Sequence, residues 1–174
     1  MKINNNIISV LLGLIFIILF INNGSISLWD QDEAAYAGFG FNYIESNNWI
    51  IPHYLWSEVH RKPPLHFWNI AFSYKLFGIN EFAVRFSSAL AIAGTYLLVL
   101  LLGGKLFGRT TSKVGALVLG SSLFVTLLGK IALTDGTLLF FTTLCAFSIL
   151  YVLKFRSYLW VLIFWSSFGC ALLT

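Results

Sequence analysis

Three carboxylates within four residues, Asp30, Asp32 and Glu33, form the densest acid cluster in the chain. Held that close, they repel one another unless a cation, a metal ion or a proton sits among them. Acids so placed can act as a general base or as metal ligands. A plainer use is also open, because a carboxylate near a helix N-terminus gains about 0.3–1 kcal/mol from the dipole. The segment Arg61-Lys62-Pro63-Pro64 is a second cluster, of opposite charge. Each proline disfavours helix in the residue before it, so Lys62 and Pro63 should be extended, and two cations stand just ahead of a helix start. Positive side chains, free backbone N–H groups and the helix dipole then meet at one anion-binding point. Arg85 could join that site or snorkel to the interface. Asp135 precedes a later apolar stretch, where it either caps a helix or adds an acid to the site.

These residues need elements to position them, and two short helices can be predicted between positions 22 and 81. The first runs from Asp30 to about Ser46, opened by an acid-x-x-Glu capping box and ended by Asn47-Asn48. Tyr36, Phe39, Tyr43 and Ile44 recur along it at helical spacing and should face lipid or protein. The second starts at Pro64, runs from Leu65 to Phe77 and closes at Gly78. Leu65, Trp68, Phe72 and Leu76 make its apolar stripe, and His66, Asn69 and Ser73 its polar one. Both are expected to be amphipathic and to lie along the outer face of a membrane.

The membrane follows from composition. Of 174 residues, 58% are hydrophobic and only 10% charged, against about 25% charged in soluble domains. That excludes an ordinary water-soluble enzyme, a disordered tail and a disulfide scaffold. No basic run is longer than Arg61-Lys62, so a nucleic-acid partner is not expected despite a pI near 9.2. The expected fold is an all-α polytopic membrane protein. About five spans are predicted, at 7–21, 82–104, 114–129, 137–153 and 158–174, with the two amphipathic juxtamembrane helices in the first outer loop. With the N-terminus inside, Lys2, Lys105, Arg109, Lys113, Lys154 and Arg156 share the cytoplasmic side with no acid. All seven acids fall outside with five cations, as the positive-inside rule expects. Residues 1–174 then form a single transmembrane domain, with the polar chemistry in the 22–81 loop. The ending Gly169 to Thr174 stops in mid-pattern, which predicts a fragment of a longer protein.

Several signals are set aside. Gly103 to Thr110 nearly matches a phosphate loop, but Arg109 stands in place of the lysine and no sheet strand precedes it. Gly38-x-Gly40 lacks the third glycine of a dinucleotide site. His53, His60 and His66 are spaced by seven and six residues, which does not suit a three-histidine zinc site. Asn23-Gly24-Ser25 is a glycosylation sequon of a kind common by chance. Cys145 and Cys170 fall in apolar stretches and are expected as small buried hydrophobes.

Four motifs occur in order: Asp30-x-Asp32-Glu33-x-x-Tyr36-Ala37, Asn48-Trp49-Ile50-Ile51-Pro52, Lys62-Pro63-Pro64-Leu65-x-x-Trp68 and Phe77-Gly78-x-x-Glu81-Phe82-Ala83-x-Arg85. Together they resemble the N-terminal part of the GT-C membrane glycosyltransferases of the aminoarabinose-transferase and protein O-mannosyltransferase type. The resemblance covers roughly residues 28–135. It implies a glycosyltransferase that moves a sugar from a polyprenyl-phosphate donor to a lipid or protein acceptor, with inversion, at the outer face of a bacterial cytoplasmic membrane. It implies Asp32 as the catalytic acid of the first loop with Asp30 and Glu33 beside it, and Asp135 as the second-loop acid. It implies Lys62 as the contact to the donor phosphate, with Arg61, Arg85 and Tyr36 as further substrate-binding candidates. Relatives of the lipid-modifying type carry Glu before Lys-Pro-Pro, where this chain has Arg61. A divalent metal therefore has only Glu58 and His60 as candidate ligands near that position. The competing expectations are a non-catalytic polytopic protein, such as a transporter or assembly subunit, and an inactive truncated fragment.

Overall fold

The computed structural model describes residues 5–50 and 62–174. His53, Glu58, His60 and Arg61 lie outside the described residues. Within them the chain is helical: α1 (Asn5–Phe20), α2 (Asp30–Ser46), α3 (Leu65–Phe77), α4 (Glu81–Phe107), α5 (Arg109–Ser121), α6 (Leu123–Leu128), α7 (Thr134–Phe155) and α8 (Tyr158–Leu172). Two of these, α4 and α7, are long and apolar enough to cross a membrane. At 27 residues, α4 is about 40 Å long.

The long helices share one axis. Ser88 Oγ donates to the Leu133 carbonyl near the starts of α4 and α7, and Tyr151 Oη to that of Leu102 near their ends, so the two run parallel. Helix α1 runs the other way: Ile8 and Leu12 pack by Val99, whereas Leu19 packs by Ile92. Helix α8 returns along α7, with the Tyr151 and Trp160 rings 4.2 Å apart and tilted by 38°, and Cys145 against Ser167. Its last turn meets the start of α3, where Leu65 N–H donates to the Leu173 carbonyl at 2.9 Å. The α4–α7 contact is tight enough that a Cβ on Gly94 would sit 2.7 Å from the Phe140 ring.

The 114–129 stretch, expected as one span, is two helices. The break is at Ser122, which is extended (φ −68°, ψ 114°) after a stretch weakened by Gly120, Ser121 and Ser122. Thr126 Oγ1 takes the Gly120 carbonyl freed by the break, and Ser121 Oγ takes that of Val118. Hydroxyls of this kind make a helix break tolerable away from water.

Helices α2 and α3 cross the end of this bundle. Their expected bounds match the observed ones, including Asn47 in the left-handed region and Gly78 at φ 77°. Their core is aromatic, with Phe39 stacked on Phe67 at 4.7 Å between centroids and Tyr43 on Trp49 at 5.8 Å. The faces of α3 depart from expectation. His66 and Ser73 of the polar stripe are buried, while Phe72 and Leu76 of the apolar stripe are exposed. Where the outer solvent is hydrocarbon, the polar groups are the ones that must turn inward.

Candidate active site at the acidic end

The N-termini of α2, α3 and α7 come together at one end of the molecule, held by a buried ion pair. Arg85, one turn into α4, donates Nε–H to Glu33 Oε1 and Nη2–H to Glu33 Oε2, both at 2.8 Å. Its remaining donors go to the carbonyls of Asn23 at 2.9 Å, Ile26 at 2.7 Å and Ser27 at 2.9 Å. A guanidinium has five N–H donors, so the inventory is complete. Glu33 is equally engaged, accepting also from Trp29 N–H at 2.6 Å and Ala132 N–H at 2.9 Å. Burial alone would raise its carboxyl. The Arg85 hydrogen bonds, the two backbone N–H groups and the Arg85 charge outweigh that and hold it below its ordinary value.

This geometry corrects two expectations. Arg85 neither snorkels nor keeps a donor free for a substrate anion, because Glu33 and three carbonyls take all of them. The capping box differs too: the N-cap is Trp29, whose side chain makes no cap, and Glu33 in the first turns takes its backbone N–H. Glu33 therefore closes the helix start in the manner of a capping box, one residue out of the expected register.

The consequence for the other acids is placement. Asp32 precedes the buried Glu33 and is exposed. Ala132, bound by Glu33, lies three residues before Asp135, which is exposed in the first turn of α7. One buried carboxylate thus ties together the two helix starts that carry the exposed ones.

His66 makes the third tie. It is buried, with Nδ1 3.5 Å from Thr137 Oγ1 in α7 and its ring edge-on to Tyr36 at 5.6 Å. Its Nε2 has no hydrogen-bond partner. Burial pushes the imidazole down to about 4, a backbone contact with Ala132 opposing the shift, so it is neutral at pH 7. Lys62, just ahead of α3, donates to Tyr36 Oη at 2.5 Å and lies 4.6 Å from the centre of that ring. Lys62 is half-buried, and its ammonium has three donors, of which Tyr36 uses one. Tyr36, a candidate from its motif, is therefore the residue that orients Lys62.

Among the described residues no group of three or more His, Cys, Asp or Glu is placed to hold a metal ion. The candidate ligands Glu58 and His60 lie outside them. The sequon asparagine is buried: Asn23 Nδ2 donates to Leu19 O at 2.8 Å, and Oδ1 accepts from Lys130 at 2.8 Å. Gly40 serves packing, since a Cβ there would lie 2.5 Å from Ile70 Cγ2.

Comparison with known proteins agrees with the resemblance. A family model described as dolichyl-phosphate-mannose-protein mannosyltransferase matches residues 61–174. The undecaprenyl phosphate-alpha-4-amino-4-deoxy-L-arabinose arabinosyl transferase of Shewanella sediminis is 34% identical over 132 residues, 75% of this chain and 24% of the relative. The enzyme of that name numbered 2 in Proteus mirabilis is 31% identical over 166 residues, 94% of this chain and 30% of the relative. The chain thus spans about a quarter to a third of these relatives. Among solved structures, apo ArnT from Cupriavidus metallidurans superposes with a TM-score of 0.88 at 22% identity, covering 97% of this chain and 32% of that one. The same protein bound to undecaprenyl phosphate gives a TM-score of 0.88 at 21% identity, covering 99% of this chain and 33% of that one. At such identities the structural match establishes the shared fold.

Proposed function

We propose a function for a chain that belongs to the dolichyl-phosphate-mannose-protein mannosyltransferase family: it carries the donor-binding and acid–base part of an inverting membrane glycosyltransferase. The donor is a sugar on a polyprenyl phosphate, and the acceptor is a lipid or protein. The observation that carries this reading is the meeting of three helix starts at one end, tied by Glu33 to Ala132 and by His66 to Thr137, with Lys62 held on Tyr36 ahead of α3 and Asp32 and Asp135 exposed on α2 and α7. Arabinosyl transfer from an undecaprenyl phosphate carrier in the names of the relatives supports it.

The chemistry follows from where charge develops. The bond that breaks joins the anomeric carbon to the phosphate oxygen, and the electron pair leaves on the phosphate. Lys62, with two ammonium donors left over from Tyr36, is suited to stabilise that growing charge, whereas the first N–H of α3, that of Leu65, is already taken by the Leu173 carbonyl. The acceptor oxygen attacks from the opposite face, which inverts the anomeric centre. Where the acceptor is a hydroxyl, Asp32 takes its proton; a phosphate acceptor needs only positioning. Glu33 and Arg85 act as positioning residues, since both are saturated by each other and by backbone groups. An apolar groove of about 480 Å³, lined by Phe72, Leu76, Leu90, Phe140 and the His66 partner Thr137, suits the prenyl tail. In this reading α1, α4, α5–α6, α7 and α8 make five passes through a bacterial cytoplasmic membrane, the acidic end faces outward, and residues 1–174 act as one transmembrane domain. The only ion pair among the described residues is a structural tie at one end, which favours chemistry at a surface over a conduction path.

Sugar transfer by the full-length native protein in membranes, from a synthetic polyprenyl-phosphate donor, tests the reading. Asp32→Asn should lower turnover by about a hundredfold or more. Lys62→Ala should raise the donor KM about ten- to hundredfold, the value of a charge-assisted contact to phosphate, with Lys62→Arg recovering part. Unchanged kinetics in both variants at matched expression would remove these residues from the site and overturn the reading.

A further inference from the structure

The opposite end of the molecule carries a second polar feature. Lys105 lies in the last turn of α4, Arg109 opens α5, Lys154 lies in the last turn of α7, and Arg156 ends α7 in the left-handed conformation. All four are exposed. Lys154 Nζ reaches within 3.5 Å of the Leu106 carbonyl, next to Lys105 and three residues before Arg109, so the two helix corners form one basic patch. The acids among the described residues sit on α2 or in the first turns of α4 and α7, away from this end. Between the ends of α4 and α7 lies an apolar cleft of about 320 Å³, lined by Leu106, Phe107, Leu150, Leu153 and Lys154.

Helix capping does not account for the patch. One cation at each C-terminus would complement the dipoles of α4 and α7, and Lys105 and Lys154 do that. Arg109 instead stands in the first turn of α5, where the dipole disfavours a cation and no acid is present. Arg156 lies past the end of α7 and adds a charge that no acid offsets. Lys154 lines a cleft whose other walls are hydrocarbon, and Lys105, Arg109 and Arg156 stand on the two helix corners beside it, so an occupant with both a negative charge and an apolar chain suits it.

We propose that this cleft is a binding site for an anionic diacyl phospholipid. An acyl chain lies between Phe107, Leu150 and Leu153, and the phosphodiester lies among Lys154, Lys105, Arg109 and Arg156. Basic pockets between membrane helices recognise headgroups in this way. The site is remote from the acidic end and independent of the transfer reaction proposed there.

Native mass spectrometry of the purified chain with phosphatidylglycerol or phosphatidylcholine tests it. The wild type should retain phosphatidylglycerol about fivefold more or better, the factor that corresponds to about 1 kcal/mol, the scale of one cation at an anionic surface. The preference should vanish in Lys105→Gln/Arg109→Gln/Lys154→Gln/Arg156→Gln. Leu150→Trp, which fills the cleft and leaves the charges, should weaken phosphatidylglycerol retention as well. Phosphatidylglycerol should raise the melting temperature of the wild type, and inorganic phosphate alone should not. Equal retention of the two lipids by the wild type overturns the proposal without need of any variant. So does a preference that survives the charge substitutions, or equal stabilisation by inorganic phosphate, which would make the patch a simple anion site.

Discussion

Glu33→Gln isolates the charge of the buried pair while keeping its shape. Glutamine retains one carbonyl oxygen, which can still meet Arg85 Nε–H and Ala132 N–H where Oε1 does now. Its amide NH2 then replaces Oε2 and faces two donors, Arg85 Nη2–H and Trp29 N–H. Two hydrogen bonds become donor–donor contacts, and the Arg85 cation loses its counter-charge in a buried site. Removing one partner of a buried pair costs about 3–5 kcal/mol, and the surviving contacts place this case near the lower end. For a chain of this size each kcal/mol moves the melting temperature about 2–4 °C, so Glu33→Gln should melt about 6–12 °C below wild type. The assay is thermal melting of the detergent-purified chain, with Asp32→Asn as the exposed neighbour that should stay within about 2 °C. The double variant Glu33→Leu/Arg85→Met should melt above the sum of the two single losses, with a coupling of at least about 1 kcal/mol. A Glu33→Gln protein that melts with wild type would refute the claim that this pair ties α2, α4 and α7 together.

Two further outcomes follow from packing and burial. Gly40→Ala should lower the melting temperature, because its Cβ meets fully buried Ile70 at 2.5 Å and the overpacking cost of about 1–3 kcal/mol exceeds or offsets the helix gain. Gly13→Ala, with nothing within 4 Å, should be neutral or stabilising, and equal behaviour of the two variants would count against the α2–α3 contact. Stability should also fall with acid. The folded His66 imidazole is held at about 4 against an ordinary 6.5, so the unfolded chain binds the extra proton between those values. The stabilisation is complete above pH 6.5 and is lost progressively toward pH 4, about 3 kcal/mol in all. His66→Gln should flatten that part of the melting-versus-pH curve, and the same slope in both proteins would show that His66 is not buried as described. Glu33, held below its ordinary 4.5, adds a separate loss below that pH.

The bounds of α2 and α3 were legible in the sequence, because Pro64, Gly78 and Asn47 are local signals that act on the backbone where they stand. The break at Ser122 was not, since no proline marks it and the relief comes from Thr126 reaching back to Gly120. The pairing of Glu33 with Arg85 spans 52 positions and leaves no local trace. One signal nevertheless pointed to it: an arginine inside an apolar span needs a partner. Spacing does not choose that partner, because Asp32 and Glu33 flank the buried face of Tyr36, Phe39, Gly40 and Tyr43 equally.

The faces of α3 show why pattern alone misleads here. A helix on a water-soluble domain turns Leu65, Trp68, Phe72 and Leu76 inward, and that rule would expose His66 and Ser73. On this molecule the hydrophobic stripe has two places to go, core or lipid, and hydrophobic contact favours neither strongly. The polar groups decide. His66 gains Thr137 and Ala132 only by facing the interior, and Ser73 is buried beside it. Turning them in brings Lys62 over Tyr36 at the start of the helix and leaves Phe72 and Leu76 to wall the groove. The rotation that satisfies the buried polar groups is therefore the same rotation that builds the anion end and the apolar groove on one helix.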